Sequence, residues 1–198
     1  MAYQHLLVMA LKELERATKN YLKSEQIEAA GKTIGTCAII AAGSSIVGTI
    51  FPGATLVANA AWVAAIWGMY IKINKDLGIS IKENALKSLA SALLTNILAT
   101  AGAYLAALIA AAAISFIPGL HLLATPVSVM LGYMTVYAAG LLYIKLLTKL
   151  FKANGSFDFS ESGARGLAAS VVGEVDMNDI LDEAKASFKQ DKKDGNIK

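Results

Sequence analysis

Hydrophobic positions in this chain do not alternate with polar ones; they gather into two long uncharged runs. Thr33 to Ile71 contains no Asp, Glu, Lys or Arg, and neither does Ser88 to Ile144. A membrane-crossing helix needs about 20 mostly apolar residues, so the first run has room for two short helices and the second for two longer ones. Each run is broken once by a Pro-Gly pair, at Pro52-Gly53 and Pro118-Gly119. Proline withholds a backbone N–H and glycine accepts left-handed dihedrals, so both pairs read as hairpin turns. The predicted arms are roughly 33–50, 54–71, 88–116 and 126–150. The last is opened by Thr125 as an N-cap with Pro126 at the first helical position. The fold class expected is all-α: a membrane helical bundle of two hydrophobic hairpins, 33–71 and 88–150, joined by a polar connector, 72–87.

The ends are polar. Residues 1–32 predict an amphipathic helix with Leu7, Leu11, Leu14, Thr18 and Tyr21 on one stripe and Lys12, Arg16, Lys19 and Lys23 on another. Such a basic stripe suits an anionic membrane surface or a protein partner; the helix equally suits packing on its own domain. The stretch 153–175 reads as a linker. Asp176 then offers a cap for a short helix through about Lys189, with a frayed end after it.

Composition excludes several classes. The chain has 198 residues, 56% hydrophobic and 17% charged, with a mean hydropathy of +0.52. A soluble domain is about 45–50% apolar and about 25% charged, so a plain soluble enzyme is disfavoured. The net charge of +3 is too mild to argue for nucleic acid. Its placement says more: both Pro-Gly turns lack Lys and Arg, whereas the N-terminal segment, the connector and the tail all carry them. The positive-inside bias puts those three in the cytoplasm. Both hairpins then enter from that side, as full crossings or as re-entrant wedges. The single cysteine, Cys37, excludes a disulfide framework within the chain. No secretory signal is expected, because Leu6 to Leu11 is too short and runs into charges.

Candidate chemistry is sparse. Gly31-Lys32-Thr33 ends like a phosphate-binding loop, but Gln26 stands where that motif needs glycine, and the preceding residues read as helix. Gly31 and Gly35, like Ser44 and Gly48, have the small-residue spacing of close helix contacts. Asn59 and Asn96 are read as hydrogen-bonding helix-packing residues, and His121 as a loop histidine near the far interface. Tyr70 and Tyr143, beside Lys72 and Lys145, read as interfacial anchors, and Tyr133 and Tyr137 as packing. No catalytic, cofactor-binding or metal-ligating set emerges, and no Asp, Glu, Lys or Arg lies inside either run for an ion relay.

The hairpins share a weak repeat: each Pro-Gly turn is followed, at the end of its returning arm, by Tyr-Ile-Lys, at 70–72 and at 143–145. They also carry family-like motifs. One stretch is Phe51-Pro-Gly-Ala-Thr-Leu56, Ile66-Trp-Gly-Met-Tyr-Ile-Lys72 and on through Leu77-Gly78 to Leu89. Another is Phe116-Ile-Pro-Gly-Leu-His121 with Thr135-Val-Tyr-Ala-Ala-Gly140. Over about residues 45–150 the chain resembles the YcjF-type hydrophobic domain, a domain of unknown function found alone or behind bacterial GTPases of the Era and dynamin-like kind. Leu77-Gly78 stands where that family usually has an aromatic-Gly pair.

The resemblance implies membrane association and a GTPase or stress-related partner rather than catalysis. The expected function is therefore a non-enzymatic anchor, scaffold or membrane-remodelling protein of the bacterial inner membrane. Its partners would be the lipid bilayer, a cytoplasmic GTPase or other soluble protein, and further copies in a homo-oligomer. The alternative is a pore-forming or channel-like helical protein, colicin-like or oligomeric.

Overall fold

In the computed structural model, residues 4–19, 21–48, 54–100 and 121–197 are described, with side chains described outside 44–61 and 121–128. They form seven helices and, among the described residues, no strand. These are α1 (His5–Thr18), α2 (Ser24–Gly48), α3 (Ala54–Leu77), α4 (Glu83–Thr100), α5 (His121–Asn154), α6 (Ala164–Gly173) and α7 (Met177–Lys193). The all-α class expected from the sequence holds.

The fourth predicted arm has a different place from the one expected. It is the centre of the bundle, touched by all six other helices. Every residue from Leu131 to Ile144 is buried. Val129–Asn154 is the one candidate membrane span among the described residues, and 89% of its most apolar window is buried inside the protein. Its hydrophobicity is thus already spent on protein contacts. The helix also begins earlier than the predicted Thr125–Pro126 cap, at His121, with Pro126 inside it. Pro126 is the sixth residue of the helix and withholds the N–H that would reach the Leu122 carbonyl, so the helix carries it at the loss of one intrahelical bond.

The polar segments are more structured than the sequence suggested. The predicted helix over 1–32 is two elements: α1, and an α2 that begins at Ser24 and carries straight into the first uncharged run. The connector is helical at both ends, since α3 reaches Leu77 and α4 starts at Glu83. Gly78 ends α3 in the left-handed region, at φ 69, and lets the Ile79 N–H reach back to the Asn74 carbonyl at 2.9 Å. The supposed linker contains α6, whose Ala164, Ala168, Val171 and Val172 are buried, mainly against α4. The predicted cap of α7 is as read: Asp176 accepts from the Asn178 N–H at 2.8 Å. The end read as frayed is held instead, for α7 continues to Lys193 and Ile197 is buried.

Close approach of α2 and α5 rests on Gly140. A Cβ there would lie 2.7 and 2.8 Å from the Cγ2 and Cγ1 atoms of the fully buried Ile34. Those atoms sit on a β-branched stem that cannot swing away. Gly140→Ala should therefore destabilise the protein by about 1–3 kcal/mol, read from the denaturant midpoint, although alanine is the better helix former. An unchanged midpoint would mean that the helices part freely at this point. Gly31, by contrast, faces only the tip of Leu11, and Gly35 faces open space. Of the two glycines read as packing sites, only Gly31 has a neighbouring helix against it.

Candidate functional site

Three features could carry function: the outer face of α1, the polar groups around α5, and the end of the bundle where the uncharged runs meet. Helix α1 docks through Leu7, Ala10, Leu14 and Thr18, whose spacing puts them on one face. Its first amides, of Leu6 and Leu7, donate to the Glu183 carboxylate of α7, and Glu13 pairs with Lys152 at 2.6 Å. That ion pair is half-exposed and worth about 1 kcal/mol or less. Burying a single leucine contributes about 2 kcal/mol. The apolar stripe therefore holds α1, and the Lys152 hydrogen bond mainly lowers the pKa of Glu13.

The contacts also orient α1. Its start lies by Glu183, which accepts from Tyr137 at 3.0 Å, and its end lies by Lys152, so it runs parallel to α5. Lys12, Arg16, Lys19 and Lys23 are exposed on its outside and the following turn, and none forms an ion pair among the described residues. Tyr21, read as part of the apolar stripe, is instead exposed in the turn, with its ring 5.2 Å from Phe151.

Tyrosines and acids surround α5. Tyr70 and Tyr143, read as interfacial anchors, are both fully buried and stack at 4.0 Å. The tyrosines of the two Tyr-Ile-Lys triplets thus meet face to face in the core, while Ile71 and Lys72 stay exposed. Tyr70 donates to the Ala139 carbonyl at 3.1 Å and Tyr143 to Asn74 Oδ1 at 2.6 Å. Tyr133 and Tyr137 stack at 6.0 Å and donate to Asp191 and Glu183 of α7. Acid partners for an uncharged arm had no local signal, because they lie 58 and 46 residues away. Near the C-terminal end of α5, Lys149 pairs with Glu174 and also donates to Ser170.

The exposed faces change character at one height. On α2 the outward positions are Glu25, Glu28, Lys32 and Thr36, then Ile40 and Gly43. On α3, running the other way, they are Ala64, Gly68 and Ile71, then Lys72 and Lys75. On α4 they are Glu83, Asn84 and Lys87, then the uncharged Ser91, Thr95, Ala99 and Thr100. Contacts between Thr33 and Asp76, Tyr70 and Ala139, and at the close approach of Ile34 to Gly140 tie these levels together. Asp191, near the end of α7, reaches Tyr133 close to the same level. Among the described residues, α2, α3 and α4 therefore carry exposed charge at one end and none at the other, whereas α7 brings Lys192, Lys193 and Asp194 toward that second end.

The remaining predicted residues are placed as follows. Pro52, Gly53, Pro118 and Gly119 lie outside the described residues. So do the side chains of Ser44, Asn59 and His121, while Gly48 is the last residue of α2. Asn96 is half-buried, and its amide donates to Ala92 of its own helix at 2.8 Å rather than to a neighbour. Among the described residues, no three or more His, Cys, Asp or Glu gather as a metal site would require. No family model, curated protein or solved structure matches the chain, so its likeness to the YcjF-type domain rests on the quoted motif residues alone.

Proposed function

We propose that this protein is a non-enzymatic anchor or scaffold of the bacterial inner membrane, inserted from one side by its uncharged end and presenting its charged end to a soluble partner. The observation that carries the reading is the common height at which α2, α3 and α4 lose their exposed charges. An outer face without charge, carrying Ile40, Ala64, Gly68 and Ala99, on several neighbouring helices at once suits a bilayer better than bulk water.

The reach of the arms favours a re-entrant wedge. From Ile40 to the Pro52-Gly53 pair is about 12 residues, as is the part of α5 before Tyr133. At 1.5 Å per residue each rises about 18 Å, against about 30 Å of hydrocarbon. Such a wedge takes up area in one leaflet only, which favours curved membrane. The termini are cytoplasmic in this reading, by the positive-inside bias. Helix α1 runs away from the uncharged end, so its basic stripe faces sideways rather than onto the bilayer. An acidic surface of a soluble partner fits it better than lipid, and a GTPase is the partner that the family resemblance implies.

One observation favours the pore-forming alternative: the one candidate span among the described residues is wrapped by protein, as a helix held back for later insertion would be. Single cysteines at Gly53, Gly119 and, in α5, Leu142, each in a Cys37-free chain, separate the readings. In intact cells we expect the first two to resist a membrane-impermeant thiol reagent from outside, and Leu142→Cys to resist a lipid-phase one. Outside labelling of the turns would mean full crossings. Lipid-phase labelling at 142 would favour the pore former.

A further inference from the structure

A second site lies beside the last turns of α5. There α5, α1 and the end of α6 leave a cleft of about 450 Å³. Lys145, Lys149 and Lys152 line it from α5, at the i, i+4, i+7 spacing of one helix face. Glu13 of α1 and Glu174, which follows α6, flank them.

The three cations are not held alike. Lys149 is bonded to Glu174 and Ser170, and Lys152 to Glu13 at 2.6 Å. Lys145 forms no hydrogen bond or ion pair among the described residues, although it lies near enough to Glu13 to help lower the pKa of that carboxyl. Lys145 is half-buried, yet its ammonium is open to the cleft: the enclosed side-chain donors without a partner among the described residues belong to Trp67 and Asn74. The Thr148 hydroxyl donates to the Ile144 carbonyl of its own helix, so the lysines are the free donors of the cleft. An ammonium has three donors. Lys145 has used none of them, Lys152 one and Lys149 two. A cation partly withdrawn from water without a counter-ion favours an anion beside it.

We propose that this cleft binds the phosphate group of a small phosphate monoester, anchored by Lys145 and completed by the free donors of Lys149 and Lys152. A tetrahedral phosphate presents acceptors in several directions, which suits three ammoniums better than the two oxygens of a planar carboxylate. Val171 and Val175 form an apolar flank along which a short carbon skeleton lies. Glu13 and Glu174 leave the cleft one positive charge in excess, so a single phosphate fits and a polyphosphate is repelled. A lipid headgroup offers the same chemistry. Lys145 lies past Gly140, however, on the side away from the end where α2, α3 and α4 lack exposed charge, which favours a soluble ester.

The test uses the full-length protein in phosphatidylcholine nanodiscs, valine-methyl NMR, and glycerol 3-phosphate as the probe. A second arm replaces the probe with phosphatidic acid in the nanodisc. A ligand this small is expected to bind with a Kd of about 1 mM. Saturable shifts of the Val171 and Val175 methyls, absent with glycerol or chloride at equal concentration, support the proposal. Shifts with glycerol 3-phosphate assign a soluble source, and shifts with phosphatidic acid alone assign a headgroup. Lys145→Gln should weaken binding about tenfold with the helical content unchanged. Lys192→Gln removes the same charge from an exposed site outside the cleft and should leave the affinity as it was. Glu13→Gln frees Lys152 and removes an opposing charge, so it should tighten binding; it decides if Lys145→Gln does not fold. The proposal is overturned if neither source gives saturable shifts, if Lys145→Gln binds as the unmodified protein does, if Lys192→Gln loses as much, or if Glu13→Gln binds more weakly.

Discussion

Exchanging Leu56 and Leu108 for aspartate should release the purified protein from phospholipid vesicles. Leu56 lies in the first uncharged run and Leu108 in the second. An aspartate at the centre of a membrane helix costs about 3 kcal/mol. Two together reduce partitioning by roughly 10⁴-fold, at 1.4 kcal/mol per factor of ten. Flotation on a density gradient reads the result directly. Thr36→Asp is the matched control: it adds the same charge to an exposed site one turn below Ile40, and it should float as the unmodified protein does. A Leu56→Asp, Leu108→Asp protein that keeps its helicity and still floats would remove the uncharged end as the anchor.

The second large effect is alkaline instability. Burial holds the Tyr70 and Tyr143 hydroxyls protonated well above the usual tyrosine range. Tyr133 and Tyr137 are raised in the same direction, first by burial and then by the Asp191 and Glu183 carboxylates beside them. All four lie in the protein-packed part of the bundle, outside the proposed wedge. A tyrosine whose folded pKa is raised contributes full stability below about pH 10 and loses it as pH climbs past that point, because the unfolded chain gives up the proton first.

Each such tyrosine costs about 1.4 kcal/mol per pH unit, so the four together give a slope of roughly 5 kcal/mol per unit. The thermal midpoint should fall steeply above pH 10, and tyrosinate absorbance should rise together with the loss of helicity. Tyrosinate appearing while the bundle stays folded would mean that these hydroxyls are in contact with solvent. Tyr143→Phe should flatten the slope by about a quarter. It also deprives Asn74 of its partner, which lowers stability at neutral pH by about 1–3 kcal/mol.

Much of the fold was legible because it depends on local periodicity. The stripe of Leu7 and Leu14, the Asp176 cap and the absence of strand alternation are properties of neighbouring residues. Each appears in the structure as read. The polar stretches were read as too loose. The stretch 153–175 is rich in Gly and Ser, yet α6 forms there because Ala168 and Val171 find α4 to pack against. Propensity is a weak prior that tertiary contact overrides.

The candidate site shows the same division. The basic stripe on α1 could be read by counting, and its exposure follows from the buried stripe opposite. The buried bond from Tyr143 to Asn74 could not, for its partners stand 69 residues apart.

By itself the sequence determined the helical class, the two uncharged runs and the charged segments that flank them. Hydrophobic patterning is a one-dimensional property and survives without the fold. What only the tertiary structure decided is which apolar surface faces protein and which is left over. The fourth arm is as apolar as a membrane span, yet α1 and α7 cover it because their own apolar stripes need a partner. Hydrophobic burial has no direction, so one arm serves equally well as core or as membrane span until neighbours occupy its faces.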